Sequence, residues 1–295
     1  MCILALLAAT VITGSLFGAE YLSIVGSDSM VLFGQRIASL FMAEHNDQVV
    51  FVSGGGSRIG ITEFLDGNAD ICETSRDFTR REYERAAEVG IEPFRMPVAL
   101  DGIAVFVHPD NPVRSLSIEQ LRDIYIGHVT NWRDVGGDDR AITLYGREPI
   151  SGTRMYFERQ ILNGQDFAAE VQTLPGTASV EHAVAKDHGG IGYGSLVWTE
   201  QAGLLAIRAD SLTDAIQPNQ ESVASGLYPL SRTLYWFTDG RPDGTVRELV
   251  RYALSATGQG AARQIGYVPL PLDSVQIQLK RLGMTAADST AAAAK

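Results

Sequence analysis

The spacing of apolar residues alternates between a strand-like and a helix-like pattern from about residue 20 onward. Residues 21–26 and 49–54 are apolar, β-branched runs, and between them Phe33, Ile37 and Phe41 recur at the spacing of one helix face. Two strands that flank a helix form a βαβ unit, and such units build parallel sheets covered by helices. The pattern therefore predicts an α/β fold.

The same alternation continues to about residue 254. It predicts helices at 57–65, 82–89, 151–162 and 246–254, and strands at 69–74, 98–107, 142–145, 189–194 and 230–237. Ser117, with Gln120 three residues later, predicts a capping box at the start of a further helix. No internal repeat has a fixed period, and composition changes little along this region. Any boundary between domains is therefore topological.

The two ends of the chain differ from this pattern. Residues 1–19 carry no charged side chain and contain a short apolar run, which predicts an export signal. A membrane anchor is the alternative, although Thr10, Thr13 and Ser15 interrupt a run that is already shorter than the roughly 20 apolar residues of a bilayer span. Residues 286–295 are rich in alanine and polar, and they predict a disordered tail, with a helix as the alternative.

Composition limits the classes of partner. The chain has 295 residues, 45% of them hydrophobic, which is enough for two globular domains, and its formal net charge is −11. This acidity argues against nucleic acid or an anionic membrane as a partner. Cys72 is the one cysteine after the predicted signal, so no internal disulfide is expected. The five histidines show no pair at the spacing of metal ligands on a helix, and neither a metal nor another cofactor is expected.

Three predicted helices begin in clusters of glycine and hydroxyl residues, at residues 26–29, 54–57 and 151–153. A helix start leaves about four backbone N–H groups without intrahelical partners and carries a partial positive charge, so it suits an oxyanion. Arg147 precedes the third cluster and Arg76 follows a strand end, and each guanidinium matches two oxygens of a tetrahedral anion. Each cluster alone is also typical of ordinary helix caps and turns. Together they predict an anion site.

Motifs of nucleotide and ester hydrolysis are not present. Gly55 and Gly60 have the outer spacing of a phosphate-binding loop, but Ile61 stands where the motif requires Lys. Neither Ser57 nor Ser151 lies in the Gly-x-Ser-x-Gly turn of a serine hydrolase. We therefore predict a protein that is not an enzyme, and a secreted phosphatase is the less favoured alternative.

The clusters belong to longer motifs that occur in a fixed order. These are GSDSM (26–30), SGGGSRIGITEFLDGNADI (53–71), TSR (74–76), ALDGIAVFVHPDNP (99–112), TNWRDVGG (130–137), REPISGT (147–153), GGIGYGSL (189–196) and GYVPLP (266–271). In these motifs the chain resembles the phosphate-binding proteins of bacterial phosphate ABC transporters, within the type II periplasmic binding protein superfamily. The resemblance extends from about residue 21 to residue 282.

The resemblance implies a two-lobed α/β fold in which each lobe has a mixed, mostly parallel sheet with flanking helices. Two hinge strands, near 100–105 and 228–234, would join a first lobe of residues 20–100 and 231–285 to a second lobe of residues 101–230. It further implies a periplasmic monomer, free or tethered to the membrane. Such a protein closes around inorganic phosphate and delivers it to the permease of an ABC transporter in the inner membrane.

The resemblance also implies which residues contact the anion. With the two arginine-bearing strand ends included, the predicted ligand-binding residues are Ser29, Met30, Ser57, Ser75, Arg76, Arg147, Ser151, Gly152 and Thr153. One of these positions departs from the family.

Well-known phosphate binders of the family carry an aspartate where this chain has Arg76. That carboxylate accepts the proton that phosphate retains and sulfate lacks, and it repels a fully ionised oxyanion. Asp28, Asp101 and Glu148 are the candidates for this part here. Sulfate or another tetrahedral oxyanion is therefore the alternative ligand, and a sensor or adhesion protein that has lost the ligand is a further alternative.

Overall fold

The structure, a computed structural model, describes residues 20–284. The predicted export signal and the predicted tail lie outside the described residues. The strands are β1 (Glu20–Gly26), β2 (Gln48–Ser53), β3 (Ile71–Thr74), β4 (Pro93–Val107), β5 (Ser115–Ser117), β6 (Thr143–Arg147), β7 (Gln172–Leu174), β8 (Gly190–Ser195), β9 (Gly203–Leu204), β10 (Ala206–Arg208) and β11 (Ser231–Asp239). The helices are α1 (Val31–Glu44), α2 (Ser57–Leu65), α3 (Arg80–Glu88), α4 (Ile118–Tyr125), α5 (Gly152–Gln160), α6 (Gly176–Lys186), α7 (Gln220–Ala224), α8 (Gly244–Leu254), α9 (Ala256–Ile265) and α10 (Leu272–Arg281).

A single mixed sheet runs through both halves of the described chain. Its strand order is β2-β1-β3-β11-β4-β8-β6-β7, with β9 also paired to β4, and β10 pairs with β5 in a separate ribbon. Strands β1, β2 and β3 are parallel to one another, as are β6, β7 and β8. The 15-residue strand β4 passes from one parallel group to the other, antiparallel to β11 on one side and to β8 on the other. Strands β4 and β11 are therefore the connection between two lobes, which confirms the predicted two-lobed α/β fold.

Each lobe has its own hydrophobic core. The first core is built from residues 22–99 and 234–282, with helix α1 contributing the fully buried Phe33 and Ile37. The second core takes its residues from 103–230 together with Val268. In this core the rings of Phe157 and Tyr193 stack with their centroids 3.9 Å apart. The predicted lobe bounds at 100/101 and 230/231 stay a prediction.

Local sequence signals account for the elements that carry the site. Helix α2 has the predicted bounds, and it follows a turn in which Gly55 and Gly56 have φ values of +118° and +99°, a region that favours glycine. Ser117 and Gln120 form both halves of the capping box predicted at the start of α4. Helices α6, α7, α9 and α10 were not predicted from the sequence. Within the residues that the structure describes, no helix combines the length and apolar character needed to cross a bilayer.

Candidate anion-binding site

Hydroxyl side chains from both lobes meet in the cleft between them. The Oγ of Ser29, just before α1, lies 2.9 Å from the Oγ1 of Thr153 in the first turn of α5. The Oγ atoms of Ser57 and Ser75 are 3.3 Å apart at the start of α2 and after β3. A Cβ atom on Gly152 would come within 2.3 Å of the first of these two oxygens and 2.5 Å of the second. Glycine is therefore required at residue 152 for the lobes to approach this closely.

The backbones of the two lobes also touch beside these hydroxyls. The N–H of Arg58 donates to the carbonyl oxygen of Ile150 at 3.2 Å. A Cβ on Gly56 would lie 2.8 Å from the same oxygen. The turn before α2 and the turn before α5 are thus in direct contact, which places their helix starts next to each other.

The hydroxyls in this cleft are shielded from water. Five side chains share this property, and no more than 2% of their surface is exposed: Ser29, Ser57, Ser75, Ser151 and Thr153. Ser151 caps α5 by accepting a hydrogen bond from the N–H of Arg154 at 3.4 Å. Because buried polar groups need partners, such a group of donors favours a polar occupant.

Arg147, the last residue of β6, is a buried cation of the cleft, with 1% of its surface exposed. Its Nη1 donates to Thr177 at 3.1 Å and its Nη2 donates to Asp28 at 2.8 Å. Its Nε is buried and has no hydrogen-bond partner among the described residues. Burial lowers the pKa of Arg147 and Asp28 opposes the shift, but an arginine stays protonated in proteins. The unpartnered Nε–H is a donor that an anion could take.

Asp28 links the same cleft to the glycine turn. Its Oδ2 pairs with Arg147, and its Oδ1 accepts the N–H of Gly55 at 2.8 Å. The Asp28 side chain is 29% exposed, so this ion pair is partly solvated. The Asp28–Arg147 ion pair therefore links the first lobe to the second.

A second ion pair lies deeper, between the hinge strands. Asp101 of β4 and Arg232 of β11 are opposite each other in the strand register, and Nε and Nη2 of the guanidinium donate to one carboxylate oxygen at 3.1 and 2.8 Å. Ser195 donates to the other oxygen at 2.8 Å, and Nη1 of Arg232 donates to Thr153 at 3.0 Å. Burial raises the pKa of Asp101, and Arg232 opposes that shift. The hinge thereby supports a hydroxyl of the cleft.

Sequence reasoning missed Arg232. The available signal was its place in the apolar segment 230–237, where a charged residue in a predicted buried strand needs a partner. Asp101 was considered only as a proton acceptor for the ligand, and in the structure its carboxylate is paired within the hinge.

Two predicted site residues are engaged elsewhere. Both terminal nitrogens of Arg76 donate to the Glu82 carboxylate, at 2.8 and 2.7 Å, so the guanidinium clamps the start of α3. Burial raises the pKa of Glu82, but the hydrogen bonds from Arg76 and Thr79 outweigh it and the net shift is downward. The N–H of Met30 donates to the carbonyl of Ser27 at 2.7 Å, and its side chain lies in the core of the first lobe. These contacts occupy both groups, although Arg76 also lines the cavity beside Ser75, and both residues stay predictions as phosphate ligands.

A cavity of about 470 Å³ lies next to the hydroxyl cluster, between the lobes. Its lining includes Ser75, Tyr156, Arg232 and Tyr235. The cleft is therefore continuous with a larger space on one side of Ser75.

Comparison with known proteins identifies the family. A family model described as "PBP superfamily domain" matches residues 12–257. The phosphate-binding protein PstS of Pseudomonas aeruginosa is 30% identical over 281 residues, which cover 89% of this chain and 87% of that protein. PstS of Bacillus subtilis is 30% identical over 250 residues, with 84% of this chain and 80% of that protein covered.

Solved structures agree with this result. A substrate-binding protein assigned to a phosphate ABC transporter of Clostridium perfringens, solved with bound phosphate, superposes with a TM-score of 0.77 at 25% identity, over 85% of this chain and 100% of that one. An ABC-type phosphate transport receptor of Vibrio cholerae superposes with a TM-score of 0.70 at 28% identity and the same coverage. The chain belongs to the PBP superfamily and, within it, to the phosphate-binding proteins of phosphate ABC transporters.

Proposed function

We propose that this protein captures inorganic phosphate between its two lobes and supplies it to an ABC importer. The observation that carries the proposal is the convergence of three hydroxyl-bearing helix starts and one buried arginine in the cleft. The names of the relatives from Pseudomonas aeruginosa and Bacillus subtilis support phosphate as the ligand.

The chemistry of the cleft suits a small oxyanion. The first-turn N–H groups of α2 and α5 have no intrahelical partners, and the dipoles of these helices favour negative charge at their starts. Ser29, Ser57, Ser75 and Thr153 add hydroxyl donors that at present bond to one another, and phosphate would take their protons instead. Arg147 supplies the charge through its unpartnered Nε–H.

Binding and lobe closure are one event in this proposal. The donors are divided between the lobes, so a bridging anion has more partners in the closed form and shifts the population toward it. Charge-assisted hydrogen bonds contribute about 1.5 to 3 kcal/mol each, so a few of them leave the roughly −8 kcal/mol of a micromolar binder after ordering and desolvation costs.

The proposal also covers the cellular location of the protein, its oligomeric state and its protein partner. The relatives are named as phosphate-binding proteins, and one solved neighbour as a substrate-binding protein of a phosphate ABC transporter. By the same reasoning this chain acts in the periplasm as a monomer, without catalysis, and its macromolecular partner is the permease in the inner membrane. The predicted site residues that meet in the cleft are proposed as the phosphate ligands; Arg76 is proposed to hold the start of α3 and not the anion, because its guanidinium is paired with Glu82.

Gly152→Ala tests this proposal at the point where the lobes meet. Its Cβ would overlap the hydroxyls of Ser57 and Ser75, and overpacking of this kind costs about 1 to 3 kcal/mol, so phosphate affinity should fall about 5- to 150-fold. Gly260→Ala is the matched control, because Gly260 lies in α9 and a Cβ there meets nothing within 4 Å.

Isothermal titration calorimetry with phosphate measures both variants, and sulfate and arsenate are then titrated into the parent protein. If Gly152→Ala binds phosphate with the affinity of the parent protein, the cleft is not the binding site. If the parent protein binds sulfate more tightly than phosphate, the cleft remains the binding site but phosphate is not its ligand.

A further inference from the structure

Two histidines that are distant in sequence meet at the end of the second lobe. His108 directly follows β4, and His188 lies in the turn between α6 and β8. Strands β4 and β8 are antiparallel with Val107 opposite Ile191, so the end of one strand lies beside the start of the other. The two imidazole rings are in contact, with centroids 3.8 Å apart and planes inclined by 34°.

Asp110 adds a carboxylate to the same place. Its Oδ2 lies 3.8 Å from Nδ1 of His108, and one ligand atom from each of the three side chains lies within 4.8 Å of the others. Ligand atoms around a tetrahedral zinc ion are separated by about 3.4 Å, as Zn–N distances of about 2.0 to 2.1 Å require. Movements of up to about 1.4 Å would therefore bring the three donors to bonding distance of one ion.

Two of the three side chains are free to make this movement, and the third is held in place. Asp110 and His188 are exposed and can change rotamer without disturbing the core. His108 is 9% exposed, and the N–H of Asp110 donates to its Nδ1 at 3.2 Å, a hydrogen bond that breaks if this nitrogen binds the ion. The turn that carries His188 is held by Trp132, whose indole N–H donates to the carbonyl of Gly189 at 2.9 Å. One ligand is thus fixed and two are adjustable.

The charges nearby favour a cation. A cavity of about 120 Å³ is lined by Asp110, Asp138, Arg140 and His188 among others. Asp187 also interacts electrostatically with His108. Three carboxylates therefore lie near the imidazoles, against the positive charges of Arg140 in the cavity lining and of Arg114, which donates to the carbonyl of Asn111 beside it.

We propose that His108, Asp110 and His188 form a binding site for one divalent transition-metal ion, of which zinc is the representative. Two imidazoles and one carboxylate are a ligand set of zinc, cobalt and nickel, whereas magnesium and calcium take oxygen ligands. Three protein ligands leave a coordination position for water. The bound ion would tie the turn after β4 to the turn before β8.

This site is separate from the anion cleft. His188 precedes Gly190, which pairs with Thr143 at the start of β6, while Arg147 is at the other end of that strand. Four residues of extended strand span about 13 Å. Metal binding and phosphate binding can therefore be measured independently of each other.

Titration of zinc chloride into the full chain, in a phosphate-free buffer, tests the proposal by calorimetry. The parent protein is expected to bind one zinc ion per chain. His188→Ala and Asp110→Asn should each weaken binding by at least about 10- to 100-fold, since loss of even an outer-shell partner has an effect of that size. His182→Ala is the matched control, because His182 is an exposed histidine of α6 in the same lobe.

Circular dichroism and a separate zinc-free phosphate titration verify that each variant is folded. The proposal is overturned if the parent shows no zinc binding up to about 1 mM, a level that corresponds to only about −4 kcal/mol. It is also overturned if His188→Ala and Asp110→Asn retain the parental zinc affinity, or if His182→Ala loses as much affinity as they do.

Discussion

The two arginine–carboxylate pairs of the interlobe region use the same chemistry at different places. Arg147 and Asp28 lie on different lobes, and the carboxylate is 29% exposed. Arg232 and Asp101 lie opposite each other on the two hinge strands, with side chains 2% and 1% exposed. The first pair can separate when the lobes open, and water then solvates both charges. The second cannot separate without breaking the sheet, so it stabilises the fold and holds Thr153 in place.

The largest effect is expected from removal of the hinge arginine. Arg232→Met leaves Asp101 buried without its partner, and such a change costs about 3 to 5 kcal/mol in the free energy of unfolding. Urea denaturation measures this loss. Arg80→Met is the control, because the Arg80–Glu84 pair is 92% and 53% exposed and surface pairs contribute about 0 to 1 kcal/mol. Equal losses in the two variants would remove the distinction between the hinge pair and a surface pair.

Removal of the cleft arginine should act on affinity instead. Arg147→Met eliminates the buried cation and the Nε–H donor, and we expect a loss of about 3 kcal/mol in phosphate binding, or about two decades. Its stability without phosphate should change less than that of Arg232→Met, because Asp28 remains partly solvated. Calorimetry and urea denaturation separate the two effects. Arg133→Ala, a change of the same charge at a 61% exposed side chain of the second lobe, should leave both unchanged.

Glu73 is a buried carboxyl that, unlike Asp28 and Asp101, has no ion pair with an arginine among the described residues. Glu73 is fully buried beside Gly34, its Oε1 has no partner among the described residues, and burial raises its pKa to about 8 against a hydrogen bond from Trp236. The native state therefore holds a proton that the unfolded state releases above about pH 4.5. The contribution of this proton to the free energy of unfolding is fully present below that pH and is lost as the pH rises toward 8.

Between pH 6 and pH 8 the free energy of unfolding should fall by about 2 kcal/mol more in the parent protein than in Glu73→Gln, which carries no such proton. Urea denaturation at the two pH values measures the difference. Parallel pH profiles would show that Glu73 is ionised in the native protein.

The smallest expected effect concerns the choice of anion. Asp28 is the cleft carboxylate that pairs with Arg147, and Asp28→Asn removes a carboxylate that can accept the proton of hydrogen phosphate, whereas sulfate has no proton to donate. The ratio of sulfate to phosphate affinity should rise about 10-fold, or about 1.4 kcal/mol, and any change in lobe closure cancels in that ratio. Competition titration measures it. Glu148→Gln makes the same change of charge in the loop before α5, and a rise of equal size in that variant would remove Asp28 from this role.

The elements of the cleft were largely predictable because their signals are local. The bounds of α2 follow from the glycine turn before Ser57 and the helical spacing after it, and the two hinge strands follow from long apolar runs. Helices α9 and α10 were missed. Helix α9 consists mostly of small and polar residues whose burial is decided by packing on the first lobe, and sequence periodicity does not report that packing.

The partners of the charged groups were less predictable. Arg76 follows a serine at a strand end, as an anion ligand would, yet the structure pairs it with Glu82 six residues later in α3. The capping box of Thr79 and Glu82 places that carboxylate beside the guanidinium, so a local helix signal competes with the expected ligand. Arg232 is the opposite case. A charged residue inside an apolar strand indicates that a buried partner is needed, but the sequence does not identify that partner.

By itself, the sequence determined the α/β alternation, the order of the motifs and the glycine and hydroxyl residues at the helix starts, because each of these depends on residues within a few positions of one another. Only the tertiary structure decided that Asp28 meets Arg147, that Asp101 meets Arg232 and that His108 meets His188. The physical reason is that the energy of a buried charge or a metal ligand depends on which distant segment lies opposite it. Strand register and lobe closure decide that neighbour, and no short stretch of sequence contains either of them.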